Sequence, residues 1–300
     1  MGDDDGAVVV SPPVEVMRPR AARSVPASNG LPGGVQYSVK LDGLRIVAFA
    51  RGGGRAVLQS RSGRDRAADF PAIAAGVAAL PTGVVLDGEL CAWKDGAFAF
   101  TELLRSRAAR ERDGVALSYI AFDVLAVPGR DVREEPLGER WELLTGVLRD
   151  AGPPLQQVMA TTVRREAEQW EPTLAPLGVE GLVCRGLATR YRPGDPQSRW
   201  LKIRRSESYD ALLVAVTGPA DRPRAALLQL TDGRRVLCSP QLTPVQRHQV
   251  GDAITDRVGP ARSDPEHGEL RPVEPALPAE VEITAGGPHR PVRFVRVRAE

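Results

Sequence analysis

Apolar positions along this chain come mostly in short bursts. From Val35 onward VQYSVKLDG, RIVAFARGG and AVLQSRSG are apolar runs closed by turn residues, the pattern of antiparallel strands. VVLDGELCAW and ALSYIAFDVLAV read the same way. FPAIAAGVAAL, ERWELLTGVLRDAG and VRREAEQWEPTLAPLG carry helical spacing instead, the first ending at Pro81 and the last near Gly178. GLVCRG and RWLKIRR return to strands on either side of a polar loop holding Tyr191 and Gly194. The register changes at SESYD (206–210), after which ALLVAV, AALLQL, RRVLCS, AEVEIT and RFVRVR are five short β-like runs. Residues 1–34 are rich in Pro, Gly, Ala and Arg without a period and read as an extended arm.

These elements predict an α+β domain of antiparallel sheets with helices over 35–206. A β-domain follows over 207–300, where five strands in so short a stretch suit a small barrel such as an OB-fold. A length of 300 residues is ample for two cores. Forty basic against 38 acidic residues leave a net charge of +2, which excludes a histone-like polycation but not a locally basic groove. No apolar run nears the roughly 18 residues of a membrane span, and the start, MGDDDGAVVVSPP, is acidic where a signal peptide is basic. No membrane partner and a cytoplasmic location are therefore expected. Cys91, Cys184 and Cys238 are far apart, which speaks against a disulfide framework or a four-cysteine zinc site.

One count sharpens the search for chemistry. The chain has three lysines, Lys40, Lys94 and Lys202, against 37 arginines. Arginine stays protonated and cannot act as an amine nucleophile, whereas lysine can. Lys94 sits in the turn-like WKDG, but Lys40 opens KLDG and Lys202 lies in WLKIR. A tight turn at Gly43 would hold the Lys40 amine beside Asp42 and Arg45; taken alone, the same tetrapeptide is an ordinary hairpin with a surface ion pair. QSRSGRD with Arg61, DGE with Glu89, AFDVL with Phe122 and VEGLV with Glu180 follow, each read at a strand end. Phe122 alone also fits a core position, and Glu180 an ordinary turn. Together they supply an amine, carboxylates, cations and one aromatic ring. That set suits a nucleotide phosphate, a divalent metal and a stacked base.

The order KLDGLR, SRSGRD, LDGEL, AFDVL, VEGLV, WLKIR resembles the nucleotidyltransferase motifs of ATP-dependent DNA ligases. It looks closest to the short bacterial ligases of the repair and end-joining type, from the PPVEVM entry to the C-terminus. The resemblance implies a nucleotidyltransferase domain followed by an OB-fold, with the active site in the cleft between them. It implies that Lys40, with Asp42 beside it, attacks the α-phosphate of ATP and forms a lysine–AMP adduct. AMP then passes to the 5′-phosphate of a DNA break, and the 3′-hydroxyl displaces it. Arg45 and Arg61 would contact ribose or phosphates, Glu89 the ribose or a metal, Glu180 a catalytic Mg²⁺ or Mn²⁺, and Phe122 the adenine. Lys202 would neutralise the α-phosphate beside Arg204, and Arg298 would close on the pyrophosphate.

The basic run from Arg185 to Arg205 would track a DNA backbone. Nicked or broken double-stranded DNA is the expected substrate of a monomer that leans on a DNA-end-binding or repair protein. Ser38 stands where the family commonly has glutamate, and Arg185 and Arg204 where it has lysine. The rival readings are an RNA ligase, a GTP-using capping enzyme, or a decayed DNA-end-binding module.

Overall fold

The computed structural model describes residues 7–22, 24–195, 199–204, 206–284 and 291–298, with only the backbone of Glu171, Arg204, Ser206, Glu207, Ser208 and Thr284. The chain divides into two compact units, Met1–Arg204 and Arg205–Glu300. Both mix antiparallel sheet with helix.

In the first unit the elements run β1 (Arg20–Ala21), β2 (Val35–Lys40), β3 (Leu44–Ala50), β4 (Ala56–Ser60), α1 (Pro71–Ala78), β5 (Val85–Lys94) and β6 (Ala97–Phe98). Then come α2 (Phe100–Leu103), α3 (Arg107–Arg112), β7 (Ala116–Val127), β8 (Arg130–Asp131) and α4 (Leu137–Leu148). β9 (Leu155–Gln157), β10 (Ala160–Thr161), α5 (Arg164–Leu174), β11 (Gly181–Gly186) and β12 (Trp200–Arg204) complete it. One sheet has the order β1-β12-β11-β2-β10; the other runs β4-β3-β5-β7-β8, with β6 on β5 and β9 on β7. Consecutive strands β2 and β3 therefore lie in different sheets, and residues 41–43 carry the chain from one to the other.

Apolar burial on both sheets explains the near-continuous hydrophobic runs. On β2, Val35 and Tyr37 pack with Leu182, Cys184 and Ala167 of α5, while Val39 and, just past the strand, Leu41 pack with Cys91, Ile120 and Val158. Gln36 and Ser38, on the strand's other face, are buried as well. In the second sheet Ile46, Leu58, Leu86 and Tyr119 close over Ile73 and Val77 of α1 and Leu144 of α4. Each large apolar side chain so buried contributes about 1.5–3 kcal/mol.

Residues 7–22 and 24–34 are largely irregular yet anchored. Val10, Val14 and Met17 are buried against Val47, Phe49 and Trp200. Gln59 clamps the segment, its Oε1 accepting from Val14 N–H at 2.8 Å and its Nε2 donating to the Val14 carbonyl at 2.8 Å.

The second unit holds β13 (Ser206–Thr217), β14 (Ala225–Leu230), β15 (Arg235–Leu237), α6 (Pro244–Ile254), β16 (Arg262–Asp264), β17 (Gly268–Thr284) and β18 (Val292–Val297). Its sheet runs β15-β14-β13-β17-β16, with β18 on β17. Among the described residues six strands thus stand where five were expected, and α6 was not anticipated. The helix has a faint apolar stripe, but Thr243 and Gln246 form a capping box at its start, and Val250 and Ile254 enter the core. No helix among the described residues is long and apolar enough to cross a membrane.

Candidate active site

Lys40 is the last residue of β2, at the crossing between the two sheets. Its carbonyl accepts from Glu180 N–H at 2.9 Å, and in the β2–β11 register it faces Gly181. Gly181 has φ 143°, a backbone region that L side chains rarely adopt, so glycine is needed next to Glu180. The Lys40 Nζ forms an ion pair with Glu180 Oε2; Lys40 is 16 % exposed and Glu180 3 %. Nucleophile candidate and carboxylate thus meet across 140 residues of sequence.

Gly43 is required for closeness rather than for a left-handed turn. A Cβ there would stand 2.4 Å from the Leu90 carbonyl oxygen and 2.8 Å from Glu89 Cγ. Only a bare backbone lets the Lys40 turn lie against β5.

A cavity of about 150 Å³ opens beside Lys40. Asp42, Arg45 and Glu89 line it near the amine; Phe122, Val183, Arg185 and Trp200 form an aromatic and aliphatic section. Phe122 is half-buried and meets Trp200 edge-on, ring centroids 6.1 Å apart. The Arg45 guanidinium lies 5.3 Å from the Phe122 centroid. Lys202 belongs to the same sheet surface. It pairs with Val183, which pairs with Ser38, and it stands two residues from Trp200 on β12. Ser38, Val183 and Trp200 all line the cavity.

DGE and AFDVL were expected at strand ends, yet Asp87, Glu89 and Phe122 lie inside β5 and β7. Charge pairing explains how strand interiors hold these acids. Asp87 faces Asp123 across the ladder, a repulsive juxtaposition on its own. Arg45 answers with Nε and Nη2 donating to the two Asp87 oxygens at 3.0 and 2.6 Å. Tyr191 Oη donates to the same carboxylate at 2.7 Å. Asp123 takes Arg140 at 2.8 and 3.0 Å and Arg185 at 3.4 Å. Burial lowers the Arg45 pKa, but Asp87 outweighs it and holds the guanidinium above its ordinary value.

Glu89 lacks so strong a partner. Burial pushes its carboxyl up to about 7, against the pull of Arg45 and Lys40. A carboxyl raised by folding is stabilising when protonated, and that contribution is lost as pH climbs from its unfolded value through about 7. Glu89→Gln, neutral at all pH, should therefore match wild type near pH 5 and exceed it at pH 8 by of order 1–3 kcal/mol. Urea melts of both proteins at the two pH values check this; equal pH slopes would contradict it.

Arg61 is not in the Lys40 cavity. It is exposed in the turn after β4 and lines a neighbouring groove of about 590 Å³, together with Arg18, Arg192 and Asp195. Arg45 borders both spaces. The basic run from Arg185 does not form one surface either. Arg185 is buried in the core, and Arg190 and Arg192 pair with Glu134. The Arg204 side chain, like Arg205, lies outside the described residues. Arg298 belongs to the second unit, where it pairs with Asp210 at 2.7 Å and Glu280 at 3.8 Å.

A lysine amine ion-paired with Glu180 thus stands beside a cavity lined by Phe122 and Trp200 and by the guanidinium groups of Arg45 and Arg185. The chain belongs to the ATP-dependent DNA ligase domain family, whose model matches residues 23–204. A probable DNA ligase of Beutenbergia cavernae is 34 % identical over 232 residues, covering 73 % of this chain and 44 % of that protein. DNA ligase C2 of Mycolicibacterium smegmatis is 35 % identical over 191 residues, 61 % of this chain and 52 % of the relative. The chain therefore spans about half the length of these curated relatives. Its fold resembles the ligase domain of M. tuberculosis LigD (TM-score 0.55, 22 % identity, 94 % of this chain and 95 % of that one). A Lig E DNA ligase structure gives a TM-score of 0.60 at 17 % identity, covering 95 % and 99 %.

Proposed function

We propose that this protein is an ATP-dependent DNA ligase that seals strand breaks through a Lys40–AMP intermediate. The observation that carries the reading is the Lys40–Glu180 pair at the edge of the aromatic cavity, in a chain with only three lysines. The base stacks on Phe122, and the α-phosphate lies at the amine. Lys40 must shed a proton to attack, and Glu180 is the carboxylate in place to accept it. The Lys40–P bond forms as the bond to pyrophosphate breaks, with Lys202 neutralising charge on the α-phosphate. The DNA 5′-phosphate then displaces Lys40, and the 3′-hydroxyl displaces AMP.

Glu89 and Glu180 are hard oxygen donors suited to Mg²⁺ or Mn²⁺. Among the described residues no cluster of three or more acidic, His or Cys ligands forms a self-sufficient metal site. One or two carboxylates completed by substrate phosphates is the usual arrangement for Mg²⁺. When bound, the ion would neutralise phosphate charge. Arg45 and Arg61, on the groove beside the cavity, receive the phosphates at the break. The second unit is read as an OB-fold, with Arg298 closing on pyrophosphate after exchanging its Asp210 and Glu280 partners. Three free cysteines suit a reducing cytoplasm. The protein acts there in DNA repair as a monomer, recruited by a DNA-end-binding protein.

Sealing of a nicked duplex carrying a labelled 5′-phosphate, with ATP or GTP, tests the assignment. ATP-dependent sealing supports it, whereas GTP-dependent labelling without sealing moves the protein to the capping branch. Because the DNA contacts are phosphate-borne, sealing should fall at least tenfold between about 50 and 200 mM salt. A flat salt profile contradicts that footprint.

A further inference from the structure

Tyr191 sits in the loop between β11 and β12 and is only 2 % exposed. Its N–H donates to the Arg133 carbonyl at 2.8 Å, and its ring meets Trp200 edge-on with centroids 5.9 Å apart. The hydroxyl donates to Asp87 Oδ2 at 2.7 Å and accepts from Met17 N–H at 3.3 Å, with Arg45 Nη2 at 3.5 Å. Burial, with Asp87 beside it, holds the phenol well above its ordinary pKa, so it stays a proton donor. The same two partners hold Arg45: Asp87 takes Nε and Nη2, and the Met17 carbonyl takes Nη1 at 2.5 Å. All three guanidinium nitrogens are thus fixed by groups that meet at the Tyr191 oxygen. Arg192, Gly194 and Asp195 of the Tyr191 loop, like Met17, line the groove and not the Lys40 cavity, whereas Arg45 borders both.

We propose that Tyr191 positions Arg45 for the transfer of AMP to DNA, its hydroxyl fixing the Asp87 carboxylate and the Met17 peptide on which the guanidinium rests. The inference rests on the reading of the groove as the seat of the 5′-phosphate at the break. In that step an oxygen of the 5′-phosphate bonds to the AMP phosphorus as the phosphorus–Nζ bond breaks, and the departing Lys40 amine takes a proton from water. A guanidinium that holds the attacking phosphate acts by orientation, so a carboxylate left free to turn, and Arg45 with it, slows transfer. Tyr191 lines neither space and acts through Arg45.

Tyr191→Phe keeps the ring against Trp200 and removes only the oxygen. The test measures single-turnover rates of adduct formation from ATP, and of AMP transfer from the preformed adduct to a nicked duplex carrying a 5′-phosphate. In Tyr191→Phe, transfer should fall about tenfold more than adduct formation. In an Arg45→Lys background, where the planar fork is already gone, Tyr191→Phe should add no further loss. Tyr119→Phe is the control for a buried hydroxyl without this role, its Oη lying 3.0 and 3.1 Å from the Ile46 and Leu86 carbonyls. It should show no split between the rates. Equal losses in both steps, unchanged transfer, or additive losses in the double variant overturn the proposal, and so does a Tyr191→Phe chain that fails to fold. Wild type that forms no adduct, or passes no AMP to DNA, removes the ligase reading itself, and the proposal with it.

Discussion

Lys40→Arg should fold like wild type and form no covalent nucleotide adduct. The substitution keeps the positive charge that pairs with Glu180 at the end of β2, so the sheet junction loses little. Yet a guanidinium does not lose its proton in proteins and presents no free amine pair to phosphorus. Loss of adduct should therefore be complete rather than partial. Labelling with α-phosphate-labelled ATP, beside a circular-dichroism melt, reads chemistry and fold separately. An adduct surviving in Lys40→Arg would place the nucleophile elsewhere.

Asp123→Asn should cost the first unit about 3–5 kcal/mol, because a buried ion pair broken from one side leaves uncompensated charge. Here two guanidiniums, Arg140 and Arg185, depend on one fully buried carboxylate. Burial pulls Arg185 down to about 10 against the pull of Asp123, so this carboxylate is what offsets the cost of burying the Arg185 charge. Against a typical total stability of 5–15 kcal/mol the expected loss is a large share. Asp131→Asn is the control. Asp131 binds Arg133 at 2.6 Å, as short a bond, but the pair is exposed and should be worth less than about 1 kcal/mol. Urea unfolding of the two variants separates the cases. A loss below about 1 kcal/mol for Asp123→Asn would mean the buried network does not hold the sheet.

What could be read without coordinates was the strand pattern around apolar runs and the residues whose types are rare. Lys40 and Lys202 stood out because arginine fills nearly every other basic position. Placing them near Glu180 and Phe122 needs β2, β11 and β12 paired in one sheet and β7 supplied by the other, a long-range arrangement that local pattern does not encode. DGE and AFDVL were read at strand ends because an acid inside a strand runs against the local pattern until its arginine is found. Arg45 and Arg140 lie 42 and 17 residues from their partners. Arg185 looked like one more cation in a basic run, and only burial shows it to be part of the cavity wall. Helix α6 was missed for want of a strong apolar stripe, although Thr243 and Gln246 carried its start signal. Gly43 was noticed for the wrong reason: its constraint comes from Leu90 and Glu89 on β5 rather than from its own dihedral angles.

The most direct test is to strip the purified protein with pyrophosphate, incubate it with ATP and Mg²⁺, and map any adduct by peptide mass spectrometry. Three lysines in 300 residues make the assignment unambiguous. AMP on the peptide containing Lys40, and on no other, is the result expected. AMP on Lys94 or Lys202, or no adduct at all, would contradict the account.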